Sequence, residues 1–173
     1  ESLQGEAKAA YDSARLLFQS GDLQTAYLKF EESHRLSQDP RLLWNMAACQ
    51  RGLRKYARVD RLIRRYLDDA GERLSDDDRA EARRSLDALA PLVAPLAVRT
   101  NVEGATVLLD GEPIGKAPFA EPVLTEVGPH VLVAELEGYT SAKQELNVAR
   151  DRANIAVLEL RAIPKVGRLA VAA

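Results

Sequence analysis

Through the first half of the chain, apolar residues recur at spacings of three and four. Ala7, Ala10, Tyr11, Ala14, Leu17 and Phe18 share one face of a helix. Ser20-Gly21-Asp22 then turns the chain, with Asp22 placed to cap the second helix. Leu23, Ala26, Tyr27 and Phe30 form a second apolar face that ends near Gln38-Asp39-Pro40. Leu43, Met46, Ala47 and Gln50 mark a third helix closed by Gly52, and Tyr56, Val59, Ile63, Tyr66 and Leu67 a fourth that stops at Gly71. Ser75 caps a fifth, whose apolar residues are Ala82, Leu86, Leu89 and Val93. Its first turn holds Asp76, Asp77 and Asp78, where the helix dipole favours anions. These acids lack the alternating ligands, central glycine and terminal glutamate of a calcium loop.

Beyond Pro91 to Pro95 the period changes to two. Alternation appears in Val98 to Val102, in Val131 to Leu136 and in Ile155 to Leu160, with turn signals at Glu103-Gly104, Asp110-Gly111, Gly128-Pro129 and Glu137-Gly138. A helical domain followed by a small β-sandwich, an α+β chain of two domains, is the expectation. The boundaries read as 1–94 for the helices and 96–162 for the sandwich, with 163–173 the start of a further β module or a linker. Pro91 and Pro95 stiffen the junction, and the apolar run through Leu92, Val93 and Leu96 suggests a small shared interface.

The helices repeat. Gly21 to Phe30 corresponds to Arg54 to Ile63, with Ala26 matching Val59, an offset of about 33 residues. Ala14, Gly21, Asp22, Ala26 and Phe30 occupy the small, turn and packing positions of the tetratricopeptide (TPR) repeat, which the first helix pair resembles. The second pair keeps Asn45, Met46, Ala47 and Tyr56, but Val59 stands for the usual small residue and Arg54 for the turn glycine. The fifth helix would serve as the cap of so short an array. In that family the first helix of each pair lines a concave surface. The resemblance therefore implies a partner-binding groove at Tyr11, Arg15, Phe18, Trp44, Asn45 and Arg51, with Asn45 at a position that clamps peptide backbone or carboxylate.

In the second half, "VEGATVLLDG" (102–111), "GEPIGKAPF", "VGPHVLVAELEGYTSAKQELNV" and "IAVLEL" follow one another in the order of a PEGA domain, which residues 96–162 resemble. Val102 replaces the first proline of that family's motif, and Val166 to Val171 looks like the first strand of a second module. The resemblance implies an extracytoplasmic protein, at the periplasm or cell surface, often with tandem modules.

One segment, "DGEPIGKAPF" (110–119), imitates a phosphate-binding loop. Gly111 and Gly115 enclose three residues instead of four, Lys116 is followed by Ala117 instead of Ser or Thr, and Pro113 lacks an N–H to donate. The stretch reads as a turn after Thr106 to Leu109, not as a nucleotide site.

Composition narrows the chemistry further. Charged residues reach 29% with a net charge of −2, so there is no bulk preference for a polyanion. The single Cys49 excludes an internal disulfide and a multi-cysteine metal site. His34 and Ser33, neighbours on a helix, point about 100° apart and cannot act as an acid–base pair. A surface or groove-edge position is expected for His34, and a turn role for His130.

Arg54, Arg58, Arg61 and Arg65 fall within about 60° on the fourth helix, widened by Arg51 and Lys55. This stripe is either a solvated face or a docking surface for an acidic protein. Nothing aromatic interleaves it, which argues against nucleic acid.

These features together lead to a non-enzymatic interaction scaffold, with no cofactor and no metal, a protein partner, no nucleic acid, and membrane association only through segments outside this chain. Two alternatives remain: the sensory region of a larger signalling protein, and a polyanion binder using residues 51–65.

Overall fold

The structure, a computed structural model, describes residues 3–164; the strand expected at Val166 to Val171 lies outside them. The described residues form five α-helices followed by nine β-strands. They divide into two compact units between Val93 and Ala94.

The helical unit comprises α1 (Gly5–Ser20), α2 (Leu23–Ser37), α3 (Arg41–Gly52), α4 (Tyr56–Ala70) and α5 (Asp76–Leu89). Each helix packs on its successor. Ala14, Ala26, Leu43, Val59 and Ile63 are wholly buried at the centre of this unit. Small side chains let the first two helices approach closely enough for the Ser33 hydroxyl to donate to the carbonyl of Ala7 at 2.7 Å. Asp22 accepts from the backbone N–H of Thr25 and Ser75 from that of Asp78, so two helix starts are capped by their own side chains.

The repeat is visible in how α1 and α3 end. Gly21 and Arg54 both sit in the left-handed region, at φ 86° and 59°. In the first turn, Gly21 N–H donates to Phe18 and Asp22 N–H to Leu17; in the second, Arg54 N–H donates to Arg51 and Lys55 N–H to Gln50. This is the same Schellman closure, displaced by one repeat. A non-glycine side chain in that conformation costs about 1 kcal/mol. Arg54→Gly should therefore raise the stability of the helical unit by about 0.5–1 kcal/mol, even though glycine loosens the unfolded chain. A lowered urea midpoint would show that the Arg54 side chain contributes more than its backbone costs.

Four expectations for this region change. Arg54 lies in the α3–α4 turn and not on α4, so the stripe on that helix is Arg58, Arg61 and Arg65. The span 51–65 is likewise the end of α3, a turn and part of α4, instead of one helix. Val93 does not extend α5: a 3₁₀ turn at Ala90–Leu92 intervenes and Val93 opens the first strand. His34 is buried at 7% exposure instead of lying at the surface.

The second unit holds β1 (Val93–Thr100), whose first residue is the last of the helical unit, β2 (Thr106–Leu109), β3 (Glu112–Lys116), β4 (Val123–Glu126), β5 (Gly128–Glu135), β6 (Tyr139–Thr140), β7 (Ala142–Val148), β8 (Asn154–Leu158) and β9 (Arg161–Ala162). One sheet has the order β4-β1-β8, a second β3-β2-β5-β7, and a short pair joins β6 to β9. Leu96 and Val98 of β1, Val107 of β2, Leu132 and Ala134 of β5, Val148 of β7 and Leu158 of β8 form the apolar centre. Pro95 sits inside β1, but the parallel ladder to β8 begins only at Leu96, so no bond of that ladder is lost to the missing N–H. Gly128-Pro129, read as a turn, is the start of β5.

The "DGEPIGKAPF" stretch is a hairpin. Asp110 and Gly111, at φ 51° and 83°, make the tight turn between β2 and β3. The lysine and the glycine before it lie in the β3 edge strand, where a bulge opposite Val107 and Leu108 absorbs one residue. His130 latches this turn. Its Nδ1 lies 2.6 Å from Asp110 Oδ2 and its Nε2 2.8 Å from the Glu126 carbonyl, while Asp110 Oδ1 accepts from the N–H of Val131.

Two asparagines bolt the ends of the β1–β8 pair. Asn154 is buried; its Nδ2 donates to the carbonyls of Pro95 and Ala149, and its Oδ1 accepts from Ala149 N–H. Asn101 does the same for Leu160, donating to its carbonyl and accepting from its N–H.

Candidate functional site

The residues expected to line a groove fall into three places. Tyr11 of α1 packs its ring on Phe30 with centroids 5.8 Å apart, and the Arg15 guanidinium lies 5.9 Å above the Tyr11 ring. Trp44 and Asn45 of α3 line a cleft of about 220 Å³ together with Arg41, Tyr66, Asp78 and Glu81. Phe18 and Arg51 lie near the far ends of α1 and α3, at equivalent positions of the repeat. Phe18 is 40% exposed, and Arg51 donates to the Ser85 hydroxyl of α5, so that arginine ties two helices together.

The cleft is built by three helices. Trp44 leans on Tyr66 of α4, with ring centroids 5.5 Å apart and planes at 49°. Asp78 and Glu81 come from the exposed first turns of α5, one helical turn apart. Asp78 also belongs to the helix cap, accepting from the Ser75 hydroxyl at 2.6 Å. Arg41 is held by Asp39 through its Nε and Nη2, which raises the arginine's pKa and lowers that of the carboxyl. Tyr66 is 7% exposed and its hydroxyl has no hydrogen-bond partner among the described residues. Burial, and then the nearby Asp78 and Glu81, push its pKa up. A second hollow of about 630 Å³ shares Arg41, Tyr66 and Asp78 and continues past Leu36, Leu74 and the start of α1.

The sequence does not single out Tyr66, Asp78 or Glu81 as site residues. Tyr66 carries the period of a core position, and the acids that of a helix start; only the packing of α5 on α4 brings them beside Trp44.

On the opposite side, Arg61 is exposed and Arg65 pairs with Asp69 at 3.1 Å. Asp60, buried, holds Arg64 through both carboxylate oxygens. Tyr27 of α2 lies close enough to Arg58 and Arg61 for their charge to oppose the rise that burial and Glu31 impose on its pKa. The stripe thus has an aromatic neighbour, supplied by another helix.

Cys49 is wholly buried, and burial pushes its thiol up to about 11. It is a core side chain without nucleophilic character at neutral pH. His34 has its pKa lowered, first by burial and then by Arg65, with Asp69, Asp39 and Glu31 acting in the opposite direction. The folded state therefore resists a proton that the unfolded chain accepts. Stability carried by His34 is full above about pH 6.5, the ordinary imidazole value, and is lost as pH falls from there through the lowered folded value. The difference in stability between the protein and its His34→Gln variant should shrink over that window; a difference independent of pH would remove His34 as the source.

Among the described residues there is no group of three or more histidine, cysteine, aspartate and glutamate side chains placed to hold a metal ion. No described helix is long and apolar enough to cross a membrane.

The β-rich unit has the strand order and turn chemistry set out above, from Val93 to Ala162. Residues 93–162 match the PEGA domain family. The helical half carries no family match of its own to set beside its TPR-like pattern. Among solved structures the chain is similar to the globular C-terminal domain of P. aeruginosa LpoP, at 25% identity over 51% of this chain and 78% of that one, with a TM-score of 0.40. No curated protein matches.

Proposed function

We propose that this chain is a non-enzymatic protein–protein interaction module of the bacterial cell envelope. Its helical unit, two TPR-like hairpins with a capping helix, recruits a partner protein. Its PEGA-matching unit serves as a spacer or a second binding surface in the periplasm or at the cell surface.

The observation that carries the reading is the cleft beside Trp44, where an aromatic side chain and polar and charged groups meet at the surface of α3 and α5. The half-exposed Phe18 and the Tyr11–Arg15 stack on α1 lend further support. Large aromatics and arginines at exposed positions are the residue types that carry binding energy at protein interfaces. The envelope location rests on the PEGA match of residues 93–162 and on where that family is found.

The test is site-specific photo-crosslinking in the native cells, with the crosslinker placed in turn at Phe18, Trp44 and Val157. A discrete protein adduct from Phe18 and Trp44 is the expected result. Adducts from Val157 alone would move recruitment to the β unit, and none from any position would remove the reading.

A further inference from the structure

We infer that the cleft between α3 and α5 takes the side chain of a lysine or arginine from a partner polypeptide. This deepens the preceding reading by naming the chemistry of one contact.

Four observations converge. First, the cleft, at about 220 Å³, is smaller than a typical drug-sized ligand site and suits the end of one long side chain. Second, its walls include the Trp44 and Tyr66 rings in contact with each other. Aromatic faces attract cations through their quadrupole, and tryptophan does so best. Third, its charge is negative. Glu81 takes part in no ion pair among the described residues, and Asp78 is bonded only to the neutral Ser75 hydroxyl and to its own helix cap. The single cation in the lining, Arg41, already faces the carboxylate of Asp39.

The fourth observation separates a site from a row of helix-start acids. Tyr66 is more than nine-tenths buried, yet it lines the cleft with a hydroxyl that has no hydrogen-bond partner among the described residues. The ring is buried while the hydroxyl oxygen itself is not enclosed, so its lone pairs are accessible to an N–H donor. An ammonium or guanidinium group entering the cleft is offered two carboxylates, the Tyr66 hydroxyl and the Trp44 ring, all of which belong to its lining. A carboxylate ligand would instead face Asp78 and Glu81 across a half-enclosed space. The adjoining hollow past Leu36 and Leu74 is large enough for the backbone and apolar neighbours of the inserted residue.

Trp44 is the only tryptophan, so its emission in the full chain reports on this cleft directly. The probes are acetyl-Gly-Arg-Gly-amide, its lysine counterpart and acetyl-Gly-Glu-Gly-amide. The two basic peptides should change the Trp44 signal saturably, and more weakly as salt rises from about 0.05 to about 0.5 M. Glu81→Gln should weaken that binding by about fivefold, the scale of one partly exposed ion pair. Tyr66→Phe, which removes only the hydroxyl, should weaken it by a few-fold. Glu72→Gln makes the same charge change away from the cleft and should leave binding unaltered.

No saturable response to either basic peptide, an equal response to the glutamate peptide, or undiminished binding by Glu81→Gln would each overturn the inference. The outcome is separable from that of the partner reading. Crosslinking from Trp44 that persists undiminished in the Glu81→Gln protein would sink the cation subsite and leave recruitment by the helices standing.

Discussion

Ile63→Ala should lower the stability of the helical unit by about 2–5 kcal/mol, the range for removing a large aliphatic side chain from a close-packed core. Ile63 is wholly buried, at the centre of α4, in the cluster that also holds Leu43, Val59 and Phe30. The measurement is direct because Trp44 lies in the same cluster of packed side chains and no tryptophan lies in the β unit. Urea unfolding measured by Trp44 emission thus reads the helices alone. A midpoint shift worth less than about 1 kcal/mol would mean that α2 and α3 collapse into the space, contrary to the packing described.

Asn154→Ala should cost the β unit about 3 kcal/mol. The substitution removes three hydrogen bonds at a buried position and leaves the carbonyls of Pro95 and Ala149, and the N–H of Ala149, to find other partners. Amide exchange along β1 and β8 should speed by about a hundredfold, while exchange in α1 to α4 stays unchanged. Equal protection in the variant would show that water replaces the side chain at no cost.

The parts of this fold that are legible in the sequence are those where one side chain's periodicity decides its environment. Ala14, Ala26, Val59 and Ile63 announce their helical face and are buried on it. Asp22 and Ser75 announce helix starts and cap them. Asp110-Gly111 announces a hairpin turn and makes one. Sequence and structure part where a local signal meets a tertiary partner. Pro95 argues locally for a junction, but β8 pairs only from Leu96 onward, so the strand absorbs it. Gly128-Pro129 argues for a turn, yet it pairs with Val148 and Asn147 of β7. His34 looks solvated on its own helix and is buried, with Arg65 and Asp69 of α4 near enough for their charges to act on it.

The candidate site is legible only in half. Trp44 and Asn45 come from the repeat pattern, since they occupy α3 at positions offset from Tyr11 and Asp12 of α1. Their companions come from helices outside that pattern. Tyr66 sits on the second helix of its pair, and Asp78 and Glu81 on the capping helix, whose sequence shows only a cap and a dipole. Across-helix juxtaposition has no signature in spacing along one chain.

The pairing of β1 with β8 has a mechanical consequence. The strands are parallel and adjacent, with Leu96 opposite Asn154 and Thr100 opposite Leu158. Tension applied at Val93 and at the end of β8 therefore drags the two strands lengthwise past each other, and the rungs of the ladder share the load instead of opening one at a time. The Asn154 and Asn101 side chains pin the two ends of that ladder. Rupture then requires the rungs and both pins to fail together, and forced unfolding is governed by the height of that single barrier. A unit wired in this way resists stretching along the chain far better than peeling.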